Sequence, residues 1–310
     1  MKRRVLICIV TLICMLTMSV SAEGSFDRNK LEGLNIEEVH IHIPGLTQTY
    51  HFLWVSDLHI VIDNEEIAEE NHETVAGRQT SWAIRPDGKQ AVDWWAEELA
   101  EQINSASPDA ILFGGDMLDL CSEATVEKLK EGLSKITVPY IYIRADHDSQ
   151  PYWTILNNEE AKALQDSVCG NDAVFVFNYP EIIILGINNS TFQMSEAAVE
   201  QMKEIAAREK PIIVVTHVPY DSVVDRSLDE TSRAVWQDRN LSWGKDTYYK
   251  PKDVTSQWME IVYGENSPVV EVLAGHLHFT WDGMINESVH EHVFSQAFSG
   301  NIGLITVDGE

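Results

Sequence analysis

Short apolar runs recur along this chain, and most of them end on a polar or charged side chain. Runs of this length that are rich in β-branched and aromatic residues are typical of buried strands. They predict strands over residues 50–56, 109–113, 138–144, 173–178, 181–187, 211–216 and 268–274, and closing strands over 279–283, 291–298 and 302–307. Residues 39–43 alternate between polar and apolar positions, which predicts a strand with one exposed face.

Helical periodicity separates several of these runs. The segment 90–105 has one apolar stripe, formed by Val92, Trp95, Leu99 and Ile103. Further helices are predicted over residues 122–134, 159–167, 195–209 and 253–263. Ser122 and Ser195 are suitable N-cap residues for two of them. This alternation of strands and helices favours an α/β fold, and we expect a single domain over residues 23–310 because no internal boundary stands out.

Two long polar inserts interrupt the pattern, at residues 60–88 and 221–252. Segments of this length in compact domains are usually functional or disordered. The first insert directly follows the polar end of strand 50–56, so we expect it to overhang any site that forms there. The second insert carries Trp236 and Trp243, which either stack on a ligand or pack in the core.

The composition is that of a folded acidic protein. Of the 310 residues, 44% are hydrophobic, and 22 basic residues stand against 49 acidic ones, which gives a formal charge of −27. This balance argues against nucleic-acid binding through a basic surface. An anionic substrate would therefore need a local source of positive charge, which bound metal ions can supply.

The first 22 residues have the layout of a secretory signal peptide. A basic start is followed by an apolar stretch over residues 5–18 and by small residues up to Ala22, after which cleavage is expected. The alternative is an uncleaved N-terminal membrane anchor, although the apolar stretch is short for the ~20 residues that span a bilayer. We expect a secreted or extracytoplasmic protein that meets the membrane only through this segment.

The four cysteines carry little information. Cys8 and Cys14 lie in the signal segment, which leaves Cys121 and Cys169 in the mature chain. Export would permit a disulfide between them. Two separate thiols that behave as small hydrophobic residues are the alternative, and neither cysteine has metal-site spacing to another.

Potential metal ligands follow five of the predicted strands. They are Asp57 and His59, Asp116, Asp146 and His147, His217, and His276 and His278. In open α/β sheets, sites form outside the carboxyl ends of the strands, so these side chains can converge. A mixed Asp and His set suits Zn, Mn or Fe better than Ca or Mg. Seven ligands taken from these eight residues are too many for one open catalytic ion and about right for two ions that share a carboxylate.

The order of these motifs resembles that of the calcineurin-like metallophosphoesterases. The matching elements are Asp57-x-His59, Gly115-Asp116-x-x-Asp119, Asp146-His147-Asp148, Thr216-His217 and Gly275-His276-x-His278. The resemblance implies a four-layer αββα sandwich of two mixed sheets flanked by helices. It also implies a binuclear site for two divalent metal ions, with Mn, Fe and Zn all open.

The resemblance also implies a role for each residue. Asp57, His59 and His278 would bind the first metal, Asp116 would bridge, and Asp146, His217 and His276 would bind the second. A hydroxide held between the ions would attack phosphorus in line. His147 would stabilise the developing charge or protonate the leaving oxygen. Asp148 would orient His147, and Asp119 would support a metal-binding histidine from behind.

One position departs from the family pattern. The usual motif is Gly-Asn-His followed by Asp or Glu, whereas this chain has Ala145-Asp146-His147-Asp148. A carboxylate therefore replaces a neutral amide ligand. Two divalent ions and three carboxylates leave one net positive charge, where an Asn would leave two. We expect this site to attract a phosphate anion less strongly, or to prefer a trivalent second ion.

The function expected from this reading is the hydrolysis of a small-molecule or lipid phosphate ester by an exported enzyme. Whether the substrate is a phosphodiester or a monoester stays open, and a 5′-nucleotidase-like monoesterase is one alternative. A non-catalytic, metal-stabilised binding protein is the alternative from another class. Arg78, Arg85 and Arg144 either contact the phosphate or form salt bridges elsewhere.

Overall fold

Two mixed β-sheets face each other in the computed structural model, which describes residues 25–170, 172–188 and 190–310. One sheet has five strands in the order β1-β11-β2-β3-β4, and the other has six in the order β5-β6-β7-β8-β10-β9. The strands are β1 Asn35–His42, β2 Tyr50–Val55, β3 Ala110–Phe113, β4 Tyr140–Tyr142, β5 Val174–Asn178, β6 Ile183–Ile187, β7 Ile212–Val215, β8 Val269–Ala274, β9 Trp281–Met284, β10 His290–Val293 and β11 Asn301–Asp308. The expected signal segment, residues 1–22, lies outside the described residues.

The central strands read as continuous apolar runs because both of their faces are buried. Along β2, Phe52 and Trp54 point into the layer between the two sheets. Leu53 and Val55 alternate with them and pack under the helices that cover the five-stranded sheet. A strand with only one buried face would have required polar residues at every second position.

Helices cover the outer face of each sheet. The helices are α1 His72–Gly77, α2 Ala91–Trp94, α3 Ala100–Ser105, α4 Glu123–Leu133, α5 Asp146–Ser149, α6 Asn158–Cys169, α7 Glu196–Ala206, α8 Ser227–Val235 and α9 Asp253–Val262. Helices α2, α3, α4 and α6 contribute to the core of the five-stranded sheet, and α7, α8 and α9 to that of the six-stranded sheet. This arrangement confirms the four-layer αββα sandwich.

Several predicted elements differ in detail. The helix predicted over residues 90–105 is continuous but contains a π-helical stretch, Trp95–Leu99, between α2 and α3. The first insert is not a bare loop, because α1 continues into a second π-helical stretch, Arg78–Trp82. The strand predicted over residues 291–298 ends at Val293, and the apolar residues after it turn towards the end of the sandwich as the 3₁₀ turn Ala297–Ser299.

Several local predictions are confirmed. Ser122 and Ser195 both cap helices, since their hydroxyls accept hydrogen bonds from the backbone N–H groups of Thr125 and Ala198. Cys121 is a buried free thiol and Cys169 a partly buried one, so the alternative of two separate thiols is correct. Across the described ranges, no helix is both apolar and long enough to cross a bilayer.

Parallel strands from both sheets bring their carboxyl ends to one end of the sandwich. In the five-stranded sheet, β2 runs parallel to β3 and β3 to β4, and in the other sheet β7 runs parallel to β8. Hydrogen bonds join the loops that follow these strands within and between the sheets. The N–H of Asp57 donates to the Gly115 carbonyl at 2.9 Å, and that of His276 donates to the Asp57 carboxylate at 3.2 Å. The predicted ligands thus share one edge.

Candidate active site

The backbone at this edge adopts an unusual conformation. Five non-glycine residues in the loops after the strands have φ between 50° and 71°, in the left-handed region, and they are Asp57, His59, Asp116, His276 and His278. This conformation is disfavoured for residues with a Cβ, and such strain clusters at functional sites. All five are among the candidate metal ligands that the sequence indicates.

Glycines allow these loops to approach each other closely. Gly115 has φ +91°, and a Cβ there would lie 2.9 Å from Nδ1 of His217. At Gly275, a Cβ would lie 2.5 Å from Oδ2 of Asp57. Both separations are shorter than side-chain contacts allow, so only glycine lets the strand ends close around the site.

One cluster of candidate ligands joins the ends of β2 and β8. Atoms of Asp57, His59 and His278 lie within 4.8 Å of one another. Nε2 of His278 is 3.2 Å from Oδ1 of Asp57 and 3.2 Å from Nε2 of His59. Ser56 fixes the Asp57 carboxylate, because its hydroxyl donates to Oδ2 at 2.6 Å.

A second cluster joins the ends of β3, β7 and β8. Atoms of Asp116, His217 and His276 also lie within 4.8 Å of one another. Nε2 of His217 is 3.1 Å from Oδ2 of Asp116 and 3.2 Å from Nδ1 of His276. The same Asp116 oxygen is 3.8 Å from Nε2 of His59, so Asp116 faces both clusters.

Buried polar atoms at this centre lack protein partners and match metal ligands. Oδ1 of Asp116, Oδ1 of Asp146 and Nε2 of His276 are buried without a hydrogen-bond partner. Such groups are costly to leave unpaired, and bound cations would satisfy them. Nδ1 of His217 faces the Gly114 carbonyl oxygen at 2.9 Å and must carry the hydrogen, so Nε2 is the nitrogen through which the neutral ring would bind a metal.

The electrostatics of the centre favour bound positive charge. Burial lowers the pKa of His217, but the negative charges of Asp116 and Asp57 have the larger effect and raise it to about 10. The same pairings hold the pKa of both carboxyls well below their usual range, although burial alone would raise it. Burial and the charge of His217 lower the pKa of His276 to about 3, so this imidazole stays neutral. A metal ion that binds carboxylates and neutral histidines would displace the proton on His217.

Asp146 lies beside these clusters but outside both. Its Oδ2 accepts a hydrogen bond from the Tyr152 hydroxyl at 2.9 Å, while Oδ1 has no partner. Burial and the charge of Asp116 raise the pKa of this carboxyl. Because Oδ2 is engaged by Tyr152, Asp146 can offer a metal only Oδ1, just as an Asn would offer only its amide oxygen. The sequence did not indicate Tyr152, which follows Asp146 by six residues.

His147 lies next to His59, at the edge of the cluster that Asp57, His59 and His278 form. Its ring lies 5.1 Å from that of His59, and its Nδ1 donates to the main-chain oxygen of Asp119 at 2.7 Å. Nδ1 therefore carries a hydrogen, which leaves Nε2 to give or take a proton. Burial lowers the pKa of His147, but Asp116 and Asp119 with Asp146 raise it above the ordinary value, so the ring can hold a proton near neutral pH.

The expectation that Asp148 orients His147 is wrong. The Asp148 carboxylate accepts hydrogen bonds from the N–H groups of Asp116, Leu118 and Ala145 and from the Tyr142 hydroxyl. All of its acceptor capacity is used in tying the loop after β3 to the loop after β4. Asp119 orients His147 instead, and Oδ1 of Asp119 also accepts from Nδ1 of His59 at 2.9 Å, as expected for a supporting carboxylate.

Aromatic side chains surround the centre, and the sequence indicated few of them. Rings lie 4.7 to 5.5 Å from histidines of the centre: Trp82 from His59, Phe298 and Trp236 from His278, Tyr249 from His276 and Tyr152 from His147. Both inserts therefore reach the site, as expected for the first. Trp243 is a core residue.

The three candidate arginines have different positions. Arg78 contacts Asp119 at the centre. Arg144 is buried and pairs with Asp166 at 2.7 Å, and Arg85 pairs with Asp87 at 3.0 Å, so salt bridges explain both.

Solved structures of similar fold include phosphatases. A dimetal phosphatase from Danio rerio superposes with a TM-score of 0.51 at 10% identity, covering 81% of this chain and 88% of that one. Purple acid phosphatase PPD1 from yellow lupin gives 0.46 at 12% identity, covering 85% of this chain and 44% of that one. At these identities the likeness concerns the fold alone. No curated protein matches the chain.

A family model adds the evidence that these distant structures cannot give. The model described as calcineurin-like phosphoesterase matches residues 50–279. This range is most of the chain, and it contains every candidate ligand from Asp57 to His278. The chain therefore belongs to the calcineurin-like phosphoesterase family, whose members are hydrolases of phosphoric esters.

Proposed function

We propose that this chain hydrolyses a small-molecule phosphate ester at a centre that holds two divalent metal ions. The candidate metal centre consists of Asp57, His59, Asp116, Asp146, His217, His276 and His278. The observation that carries the proposal is the convergence of two Asp and His clusters on Asp116, with three buried ligand atoms that have no protein partner. Buried polar atoms without a partner are uncommon in native structures, so their grouping among Asp and His side chains supports a bound cation.

The residues divide the work of the reaction. When bound, the two ions would polarise the phosphoryl oxygens and lower the pKa of water. Asp57, His59 and His278 would hold one ion and His217, His276 and Asp146 the other, with Asp116 facing both. His147 would give a proton from Nε2 to the leaving oxygen, while Asp119 holds its Nδ1. Trp82 and Phe298 would limit the access of water to this region.

Turnover of two chromogenic esters tests the proposal. We expect the purified chain to cleave p-nitrophenyl phosphate or bis-p-nitrophenyl phosphate, to lose this activity with a chelator and to regain it with Mn²⁺. The ratio of the two rates decides between monoesterase and diesterase. Binding of two Mn²⁺ ions per chain without turnover of either ester would instead support a non-catalytic metal-binding protein.

The substitution Asp146→Asn tests the charge of the centre. It restores the usual family residue and adds one net positive charge beside the phosphate. Even when they are screened by the dielectric constant of bulk water, unit charges ~4 Å apart interact by about 1 kcal/mol. We therefore expect the KM for p-nitrophenyl phosphate to fall about fivefold or more. Tyr152→Phe serves as the matched variant, since it removes the hydrogen bond but keeps the carboxylate. Unchanged metal content together with unchanged KM in Asp146→Asn would contradict this account.

We also propose that the enzyme acts outside the cytoplasm, with residues 1–22 as a cleaved signal. The basic start, the apolar stretch and the small residues before Glu23 support this. The mature N-terminus, read by sequencing after expression of the full chain in a bacterial host, is expected to be Glu23. A protein that is recovered from the cytoplasm with residues 1–22 intact would contradict export.

A further inference from the structure

We propose that Arg78, which the first insert supplies, is a positioning residue that holds Asp119 in place and so fixes both His59 and His147. The inference rests on the proposed function, because it assigns His59 to a metal ion and His147 to proton transfer. It gives the insert at residues 60–88 a part in building the centre as well as in covering it.

The geometry of the contact is that of a fork. Nε of Arg78 donates to Oδ2 of Asp119, and Nη2 donates to Oδ1. Two parallel hydrogen bonds fix the plane of a carboxylate, which a single point charge cannot do. Asp119 is fully buried, whereas 23% of the Arg78 side chain is exposed, so Arg78 closes the outer side of a buried acid.

Two indole rings hold the guanidinium itself. The Arg78 guanidinium carbon lies 3.9 Å from the ring centroid of Trp82 and 4.9 Å from that of Trp153. Cation–π contacts of this kind stabilise the charge and limit its rotation. The Trp82 ring also contacts the rings of His59 and His278. Arg78 and Trp82 of the insert therefore hold each other in place beside the cluster of Asp57, His59 and His278.

Asp119 passes this order on to two histidines. Its Oδ1 accepts from Nδ1 of His59 at 2.9 Å, which turns Nε2 of that ring towards Asp57 and His278. Its main-chain oxygen accepts from Nδ1 of His147. Arg78 and His59 thus donate to the two oxygens of one carboxylate, and Oδ1 accepts from both side chains.

Arg78 also adds a charge that the centre needs. Without it, the charge of Asp119 would be unbalanced close to the candidate metal centre, which already carries an Asp at position 146 in place of a neutral Asn. A phosphate anion would then be attracted less strongly. Arg78 thus offsets, from the insert, the negative charge of the carboxylate that supports His59.

Three variants separate charge, geometry and general packing. Arg78→Gln removes both the charge and the fork, and Arg78→Lys keeps the charge alone. Arg85→Gln is the matched control, because Arg85 lies in the same insert, stacks over Trp94 at 4.3 Å and pairs with Asp87, yet does not contact the centre. Mn²⁺ affinity and stoichiometry are measured by calorimetry, and kcat and KM with p-nitrophenyl phosphate.

We expect Arg78→Gln to weaken one of the two Mn²⁺ sites by about 10–100-fold, the usual cost of losing a group behind a metal ligand. Its KM should rise. Arg78→Lys should have a KM close to that of the unmodified chain, but its Mn²⁺ affinity should stay close to that of Arg78→Gln. Arg85→Gln should match the unmodified chain in both. If Arg78→Gln fails to fold, the Mn²⁺ affinity of Arg78→Lys carries the test, with a tenfold loss expected.

Wild-type Mn²⁺ affinity in Arg78→Gln, or in Arg78→Lys where the Gln variant does not fold, would overturn the inference. An equal loss in Arg85→Gln would do the same, since it would assign the effect to packing of the insert. Failure of the proposed function has another signature. The unmodified chain would then bind two Mn²⁺ ions without turnover, or bind none, whatever the variants do.

Discussion

Replacing Asp116 by asparagine is expected to lower kcat by about 10³-fold and to reduce the bound Mn²⁺ from two ions towards one. Oδ2 of Asp116 lies 3.1 Å from Nε2 of His217 and 3.8 Å from Nε2 of His59, and its Oδ1 has no partner. Asp57 also approaches both clusters, but its Oδ1 is 3.9 Å from Nε2 of His59 and 4.0 Å from Nε2 of His217, which is further than Asp116 in both cases. An amide offers one ligand oxygen and no charge, so it cannot serve two cations. Loss of about 4 kcal/mol of charge stabilisation corresponds to the expected change in rate.

The measurement combines metal analysis of the dialysed protein with steady-state kinetics at saturating Mn²⁺. Asp238→Asn is a suitable control, because it makes the same chemical change at a side chain that is 92% exposed in the second insert. It should alter neither quantity. A metal content of two and a normal kcat in Asp116→Asn would remove the physical basis for the two-metal centre.

The ligands could be predicted from one sequence because each follows a buried strand. A strand with two buried faces is recognisable as a short apolar run, and a polar residue directly after it is conspicuous. Asp57, Asp116 and His217 are recognisable in this way from the sequence alone. The parallel strand pairs then bring them to one edge, as the general rule for α/β sheets requires.

Other parts of the centre could not be predicted, because their partners are distant in sequence and share no local pattern. Arg78 meets Asp119 through an insert whose helix is short, polar and partly π-helical. Such a segment has no periodic pattern of apolar residues by which it could be recognised. The family resemblance implies that Asp148 orients His147, yet the helix that begins at Asp146 turns the Asp148 carboxylate towards backbone N–H groups instead.

His147→Gln is expected to slow the cleavage of phenyl phosphate by 10²–10⁴-fold, the usual range for a lost general acid. The loss with p-nitrophenyl phosphate should be clearly smaller. Nitrophenolate is a weaker base than phenolate and leaves with less help from a proton. Nδ1 of His147 is held by the Asp119 oxygen, so its Nε2 is the atom that would deliver the proton. The raised pKa of the ring keeps that proton available near neutral pH.

The comparison of two leaving groups separates proton transfer from a general disturbance of the site. His147 forms a separate group of possible ligands with His59 and Asp119 and is outside the two clusters that contain Asp57 and Asp116, so the variant should still bind two Mn²⁺ ions. A variant that had lost metal would slow both esters alike. Equal losses with phenyl phosphate and p-nitrophenyl phosphate at full metal content would show that His147 stabilises charge on the phosphoryl group without protonating the leaving oxygen. A dependence on the leaving group would assign the general acid to His147. The hydrogen bond from its Nδ1 to the Asp119 oxygen would then serve to direct Nε2 at the leaving group.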